Sequence, residues 1–216
     1  MNLTPDWRLN TSETARLGAK LREKAWVNRI LQGDKAAGER LVTENYRRVY
    51  GLLRSLTDHR EVAEDLTQQT FTKAWQALAS FRGEARLSTW ICRIAYHEYT
   101  HWRRDRHETA SLQDAESLPS IHSAVGLKTV IFSRALEHLS EALRETFLLH
   151  YEHELEVKEI ALVLEVPAGT IKSRLFTARN RLRELLTDPE EVSAPVPKIS
   201  IPAVNQVFVT LEEKPL

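Results

Sequence analysis

Cysteine is almost missing from this chain. Cys92 is the only one in 216 residues, so an internal disulfide is excluded and no multi-thiolate zinc site can be assembled. Glycine and proline are scarce as well, at 7 and 8, and Pro189, Pro195, Pro197 and Pro202 sit together beyond position 188. Long uninterrupted helices are therefore permitted before that point. Charged residues interrupt every window of the length a bilayer requires, so no membrane insertion is expected. Asp6, Arg8 and Glu13 stand where a secretory leader needs an apolar run, and none is expected. Net charge is missing too: 30 basic residues offset 30 acidic ones, leaving no general pull toward nucleic acid.

What is present is helical periodicity in two blocks. Residues 1–23 are weakly patterned and read as a loosely ordered arm. From Trp26 the apolar spacing becomes helical through Val27, Ile30 and Leu31, breaks at Gly33-Asp34, and resumes from Ala37 to Leu53. A third helix is expected from about His59 to Leu78, with Val62, Leu66, Phe71, Ala74, Trp75 and Leu78 facing inward. Ser88 is the expected N-cap of a fourth, whose apolar stripe is Leu87, Trp90, Ile91, Ile94 and Ala95. Between 107 and 128 periodicity stops, and Glu108, Asp114 and Glu116 mark an acidic, flexible linker. Helical patterning returns over 129–187 and ends in the Pro-rich extension 188–216. The fold class read from this is all-α, with an N-terminal helical bundle and a smaller C-terminal helical domain.

The segment from Val157 to Leu186 has the proportions of a helix-turn-helix: a short amphipathic helix, a turn with Pro167 and Gly169, and a longer helix. Ile171, Leu175, Ala178, Leu182 and Leu185 fall on one stripe of that second helix. The opposite face presents Lys172, Ser173, Arg174, Thr177, Arg179 and Asn180, and Thr170 joins them as a candidate DNA contact. Such a face suits a major groove, with the cations on phosphates and the first outward residues against base edges.

The string VPAGTIKSRLFTARNRLRELL, Val166 to Leu186, resembles the promoter-reading region 4 of extracytoplasmic-function sigma factors of the sigma-70 family. GDKAAGERL (Gly33 to Leu41), EVAEDLTQQTFTKAW (Glu61 to Trp75) and FRGEARLSTWICRIA (Phe81 to Ala95) are similar to region 2 of the same family, in the right order and spacing. The resemblance covers about residues 24–187. It implies a region 2 domain over 24–106 and a region 4 domain over 129–187. Asp58, Glu61, Glu64, Asp65, Gln68 and Gln69 would dock on a coiled coil of the core RNA polymerase. Arg82, Arg86, Arg93, His97, Thr100, Arg103 and Arg104 would open the minus-ten element and hold its non-template single strand, with Tyr96, Tyr99 and Trp102 near enough to stack on extruded bases and Trp90 assigned to the core. The helix-turn-helix would read the minus-thirty-five element as duplex. The linker would thread the polymerase near the RNA path. An anti-sigma factor or other regulator is implied as a further partner, and the cytoplasm as the location, nucleoid-associated when polymerase-bound. No catalytic residue, metal or cofactor is expected.

The sequence departs from the family pattern in four places. Val62 and Gln69 replace common acids of the docking helix, so docking is expected to be weaker or conditional; phosphorylation of Thr67, Thr70 or Thr72 would restore acidity there. Glu165 replaces the usual glycine after the first helix of the helix-turn-helix, at a cost of about 1 kcal/mol if it is left-handed. Glu156 replaces the usual Ser cap of that helix, and a less stable domain is expected.

Two rival readings exist. His97-Glu98-Tyr99-Thr100-His101 matches the HExxH zinc-protease signature, with His107 where a third ligand would fall. Against it, Arg104 stands where the bend needs glycine, Met1 is the only methionine, Arg93 and Arg104 oppose a divalent cation, and no sheet is expected. The second rival is a sigma-like adaptor or antagonist that binds DNA or polymerase without initiating. In the extension, disorder is the simpler expectation; the alternative is that Asn205 to Leu211 docks as an added strand.

Overall fold

Apolar residues recurring every three or four positions, with few glycines between them, produce a helical chain. The computed structural model describes residues 11–110 and 127–187. The order within them is α1 (Thr11–Leu31), α2 (Lys35–Thr57), α3 (Arg60–Ala77) with a 3-10 turn at Leu78–Ser80, α4 (Leu87–Ala110), α5 (Leu127–Glu137), α6 (Glu141–Tyr151), α7 (Val157–Leu164) and α8 (Ala168–Thr187). There is no strand among the described residues, in agreement with the all-α expectation. The expected docking segment Asn205 to Leu211 and the middle of the expected linker lie outside the described residues.

In the N-terminal unit α2, α3 and α4 pack on one another and α1 lies against α2. Leu41, Val49, Leu52 and Leu53 from α2, Ala63 and Leu66 from α3, and Ile91 and Ala95 from α4 are buried together. The α1–α2 corner turns on Gly33, whose φ of +91° a side chain would resist. Asp34 then caps α2 by accepting the Ala37 N–H at 3.0 Å. That hydrogen bond, with the Arg29 guanidinium 2.6 Å from the same carboxylate, holds the Asp34 carboxyl below its ordinary value. Trp26 closes the corner by donating from Nε1 to the Ala37 carbonyl at 3.0 Å.

In the C-terminal unit α8 packs on α5, α6 and α7. Phe132, Ala135, Phe147, Leu148, Ala178 and Leu182 form its outer core. Its inner core is shared: Leu149, Leu155, Ile160, Val163, Leu164, Ile171 and Leu175 are continuous with the buried residues of the N-terminal unit. The join is made by α7 packed along α4 and by α6 touching α2.

Three expectations need correction. Residues from Thr11 onward, expected to be a loose arm, belong to α1, because Val27, Ile30 and Trp26 anchor the helix to the α2–α4 core and the preceding turns extend from that anchor. The fourth helix starts at Leu87, so Ser88 is inside it; its cap is supplied at long range, the Glu23 carboxylate of α1 accepting the Leu87 N–H at 3.1 Å. Trp75, expected to face inward, is 53% exposed. A Cβ on Gly38 would come within 2.7 Å of its ring, so the missing side chain of Gly38 is what lets the indole lie against α2. Trp90, assigned to the core, is half-buried with its ring 5.6 Å from and edge-on to Phe81.

Because Glu23 is the acceptor described for the first turn of α4, Glu23→Ala should cost about 1 kcal/mol. Thermal unfolding of the variant checks this; an unchanged midpoint would mean that water replaces the cap without loss.

Candidate functional site

The helix-turn-helix is built from α7 and α8. Ile160, Val163 and Leu164 of α7 meet Ile171 and Leu175 of α8 in a fully buried contact. Glu165 ends α7 at φ 56° and ψ 38°, its N–H bonded to the Ala161 carbonyl, so the left-handed turn is made here by an acid. The weak cap at Glu156 is partly compensated, since its own N–H donates to Glu159 Oε2 at 3.0 Å. On α8, Ile171, Leu175, Ala178, Leu182 and Leu185 are buried as expected, while Lys172, Ser173 and Thr177 are exposed and Thr170, Arg174 and Arg179 half-exposed. Arg179 also hydrogen-bonds Tyr151. Phe176 is 55% exposed in the midst of this face. Sequence reasoning missed it, although its position between Lys172–Ser173 and Thr177, off the apolar stripe, was the available signal.

A second surface is the outer face of α3. Glu61, Glu64, Asp65, Gln68 and Gln69 are all exposed there, Glu64 paired with Arg60 at 2.9 Å. Asp58 is set apart: it is the left-handed C-cap of α2, half-buried and 3.1 Å from Arg54. Thr67 and Thr70 are buried and donate to the Ala63 and Leu66 carbonyls at 2.6 and 2.7 Å, which removes them as phosphorylation sites; Thr72 is exposed.

The third surface is α4 with the loop before it. Arg82 and Arg86 are exposed on that loop, which borders a groove of about 360 Å3 lined also by Trp90, Arg93 and Leu162. Further along α4 the candidates are engaged rather than free. Arg93 Nε is 3.0 Å from Glu165 Oε1 and His97 Nε2 is 3.2 Å from the same oxygen. The guanidinium holds the Glu165 carboxyl below its usual value. Arg103 pairs with Glu141 and, at 3.0 Å, with Glu145. Thr100 donates to its own helix at the His97 carbonyl, and Arg104 lies 2.8 Å from His101 Nδ1.

The expected stacking rings are engaged too. Tyr99 is buried, and Tyr96 donates from its hydroxyl to Glu145 Oε2 at 2.7 Å. Burial pushes the Tyr99 hydroxyl up to about 12 and raises the Tyr96 hydroxyl as well. The two rings are packing groups of the join. Trp102 is half-buried beside Tyr99, with Arg106 over its ring. As for the HExxH match, Glu98 is buried and bonded to Lys73 Nζ at 2.7 Å, which turns the would-be catalytic carboxylate toward α3 and away from His97 and its Glu165 partner.

Two helical units, one ending in a helix-turn-helix with a basic outward face, define a DNA-binding protein of the helix-turn-helix class. The sigma-70 region 2 model matches residues 41–109 and the sigma-70 region 4 model matches residues 129–182. The ECF RNA polymerase sigma-E factor of Haemophilus influenzae is 30% identical over 183 residues, covering 77% of this chain and 96% of that protein. The RNA polymerase sigma-H factor of Pseudomonas aeruginosa is 29% identical over 176 residues, covering 74% and 91%. Among solved structures, the sigma factor RpoE of Bartonella quintana, in complex with the anti-sigma factor NepR, matches with a TM-score of 0.60 and 30% identity over 69% of this chain and 96% of that one. The chain therefore belongs to the sigma-70 family, in its extracytoplasmic-function group, and is an RNA polymerase sigma factor.

The turn between α6 and α7 carries two perturbed groups side by side. His153 reaches α2, its Nε2 2.9 Å from Ser55 Oγ, and burial with the nearby Arg48 charge lowers it to about 4. Burial raises Glu152 to about 7, and its Oε2 has no hydrogen-bond partner among the described residues. Between pH 4 and 6.5 the unfolded His153 binds a proton that the folded one refuses, so its contribution to stability is lost on acidification. Between pH 4.5 and 7 the folded Glu152 holds a proton that the unfolded one releases, so its contribution is lost as pH rises. The two slopes oppose. Glu152→Gln should therefore match the parent at low pH and gain on it from pH 4.5 to 7, by about 1 kcal/mol per pH unit, then level off. Chemical denaturation across that range checks this, and parallel curves for the two proteins would contradict it.

Proposed function

We propose that this sigma factor divides its work among the three surfaces. The acidic outer face of α3, with Asp58 beside it, docks on a basic partner, the coiled coil of core RNA polymerase. The loop at Arg82 and Arg86 and helix α4, through Arg93, His97, Thr100, Arg103 and Arg104, hold the separated non-template strand at the minus-ten element. Helix α8 reads the minus-thirty-five duplex through Thr170, Lys172, Ser173, Arg174, Thr177 and Arg179. The units are residues 24–106 and 129–187, joined by 107–128. The chain performs no reaction of its own; it redirects that of the polymerase by binding the opened promoter better than the closed one. It acts in the cytoplasm, at the nucleoid when polymerase-bound. The Bartonella quintana relative is held by an anti-sigma factor, and a regulator of that kind is proposed here.

The observation that carries the DNA reading is the division of α8 into two sides. Ile171, Leu175, Ala178, Leu182 and Leu185 are at most 2% exposed, while Lys172, Ser173, Phe176 and Thr177 turn outward along one side, unobstructed by the neighbouring unit. A basic helix needed only for packing would not require such an open face.

Run-off transcription with bacterial core polymerase on a pooled promoter library tests the function. New starts sharing two upstream elements are expected. Core binding without new starts would instead favour an antagonist. Lys172→Ala should weaken duplex binding about equally on all sequences and flatten its salt dependence by roughly one phosphate contact. Sequence-selective loss would reassign Lys172 to a base.

A further inference from the structure

Three of the side chains proposed for strand binding on α4, and Thr89 beside them, meet carboxylates of the C-terminal unit. Arg93 and His97 share Glu165, Arg103 lies between Glu141 and Glu145, and the Thr89 hydroxyl donates to Glu159 Oε1 at 2.7 Å. These four acids come from α6, α7 and the turn after α7, and together they line the part of α4 from Thr89 to Arg103. A carboxylate offers Arg, imidazole N–H and hydroxyl donors paired anionic oxygen acceptors, as a backbone phosphate does. The occupants of α4 in this structure are therefore chemical stand-ins for the strand it would bind.

Glu165 is the telling member. It sits at φ 56°, a conformation open to glycine and uphill for any other residue except, mildly, Asn and Asp. The helix-turn-helix needs that backbone turn, but it has no use for the carboxylate. The carboxylate reaches out of its own domain to Arg93 at 3.0 Å and to His97 at 3.2 Å. Meanwhile the acidic face of α3 and the outward face of α8 stay open. The closed chain can thus present its docking and duplex-reading surfaces while its strand-binding helix is covered.

We propose that Glu165, supported by Glu141, Glu145 and Glu159, is a built-in mimic of the DNA backbone that latches the free protein shut over α4, so that single-stranded DNA must displace these carboxylates to bind. The inference rests on the reading of α4 as the strand-binding helix. Its effect is a conformational tax: apparent affinity is reduced by the fraction of molecules in which α4 is open. Glu165→Gly removes the carboxylate and relieves the left-handed strain together, so the fold is kept while the latch is lost.

The test is fluorescence anisotropy of a short labelled single-stranded oligonucleotide with the full chain, at fixed salt. Glu39→Gln, an exposed position on α2, makes the same change in net charge and serves as the control. Glu165→Gly should bind roughly five-fold more tightly than that control, and adding Arg93→Ala should cancel the gain. A Glu165→Gly affinity equal to the control, with Arg93→Ala weakening the parent, would overturn the latch and leave the strand-binding reading intact. No effect of either change would remove both. A gain that survives Arg93→Ala would place the released site elsewhere and overturn the latch as well.

Discussion

The structure depends on α4 being used twice. One side of the helix, with Ile91, Cys92 and Ala95, completes the core formed by α2 and α3. The other side carries α7, so that Leu155, Ile160 and Val163 extend the same buried cluster into the C-terminal unit. Without α4 the N-terminal bundle loses a wall and the helix-turn-helix loses its neighbour. The cysteine illustrates how deep the shared helix lies: it is 1% exposed, and burial drives its thiol up to about 12, far from any redox or nucleophilic role.

The polar part of the join is made of separable pieces. Arg93 and Glu165 are each nearly half exposed, and a pair so wet contributes about 1 kcal/mol or less and weakens with salt. Arg103 with Glu145 is drier, at 30% and 6% exposure, and Tyr96 shares that carboxylate, so the group acts as a network in which losing one member strands the others. Shielded polar contacts at one end and wet ones at the other suit a contact that holds in the free chain yet yields to a ligand with many phosphates. The same contacts bear on the helix-turn-helix itself. Its turn is strained at Glu165, and the strain is offset in part by what the side chain meets across the join.

Much of the fold was legible because a single amphipathic stripe suffices to specify it. The limits of α7 and the buried stripe of α8 follow directly from spacing, as does the break at Gly33-Asp34. Errors arose where the deciding partner was far away in sequence. Ser88 has the right chemistry for a cap, but Glu23, 64 residues earlier, reaches the N-terminus of α4 and the helix begins before Ser88. Trp75 is apolar and in phase, but only the bare α-carbon of Gly38 explains why it lies flat on the surface. The largest failure concerned the second face of α4. Its Arg, His, Thr and Tyr residues read as a free polar surface, because hydropathy cannot distinguish a solvated charge from one facing a carboxylate of another domain.

Charge adds to the apolar seam in seating the C-terminal unit along α4. Its inner edge is acidic, with Glu141, Glu145, Glu159 and Glu165 aligned toward the N-terminal unit. The outer face of α3, carrying Glu61, Glu64 and Asp65, is acidic like that edge and would repel it. The basic side of α8 cannot turn inward without exposing Ile171 and Leu175, which are wholly buried against α7. Helix α4 offers cations and hydroxyls beside an apolar seam. A protein with no net charge thus sorts charge into faces, acidic on the outside of α3, basic on the outside of α8, and on α4 a third that is complementary to the acidic edge of the chain itself.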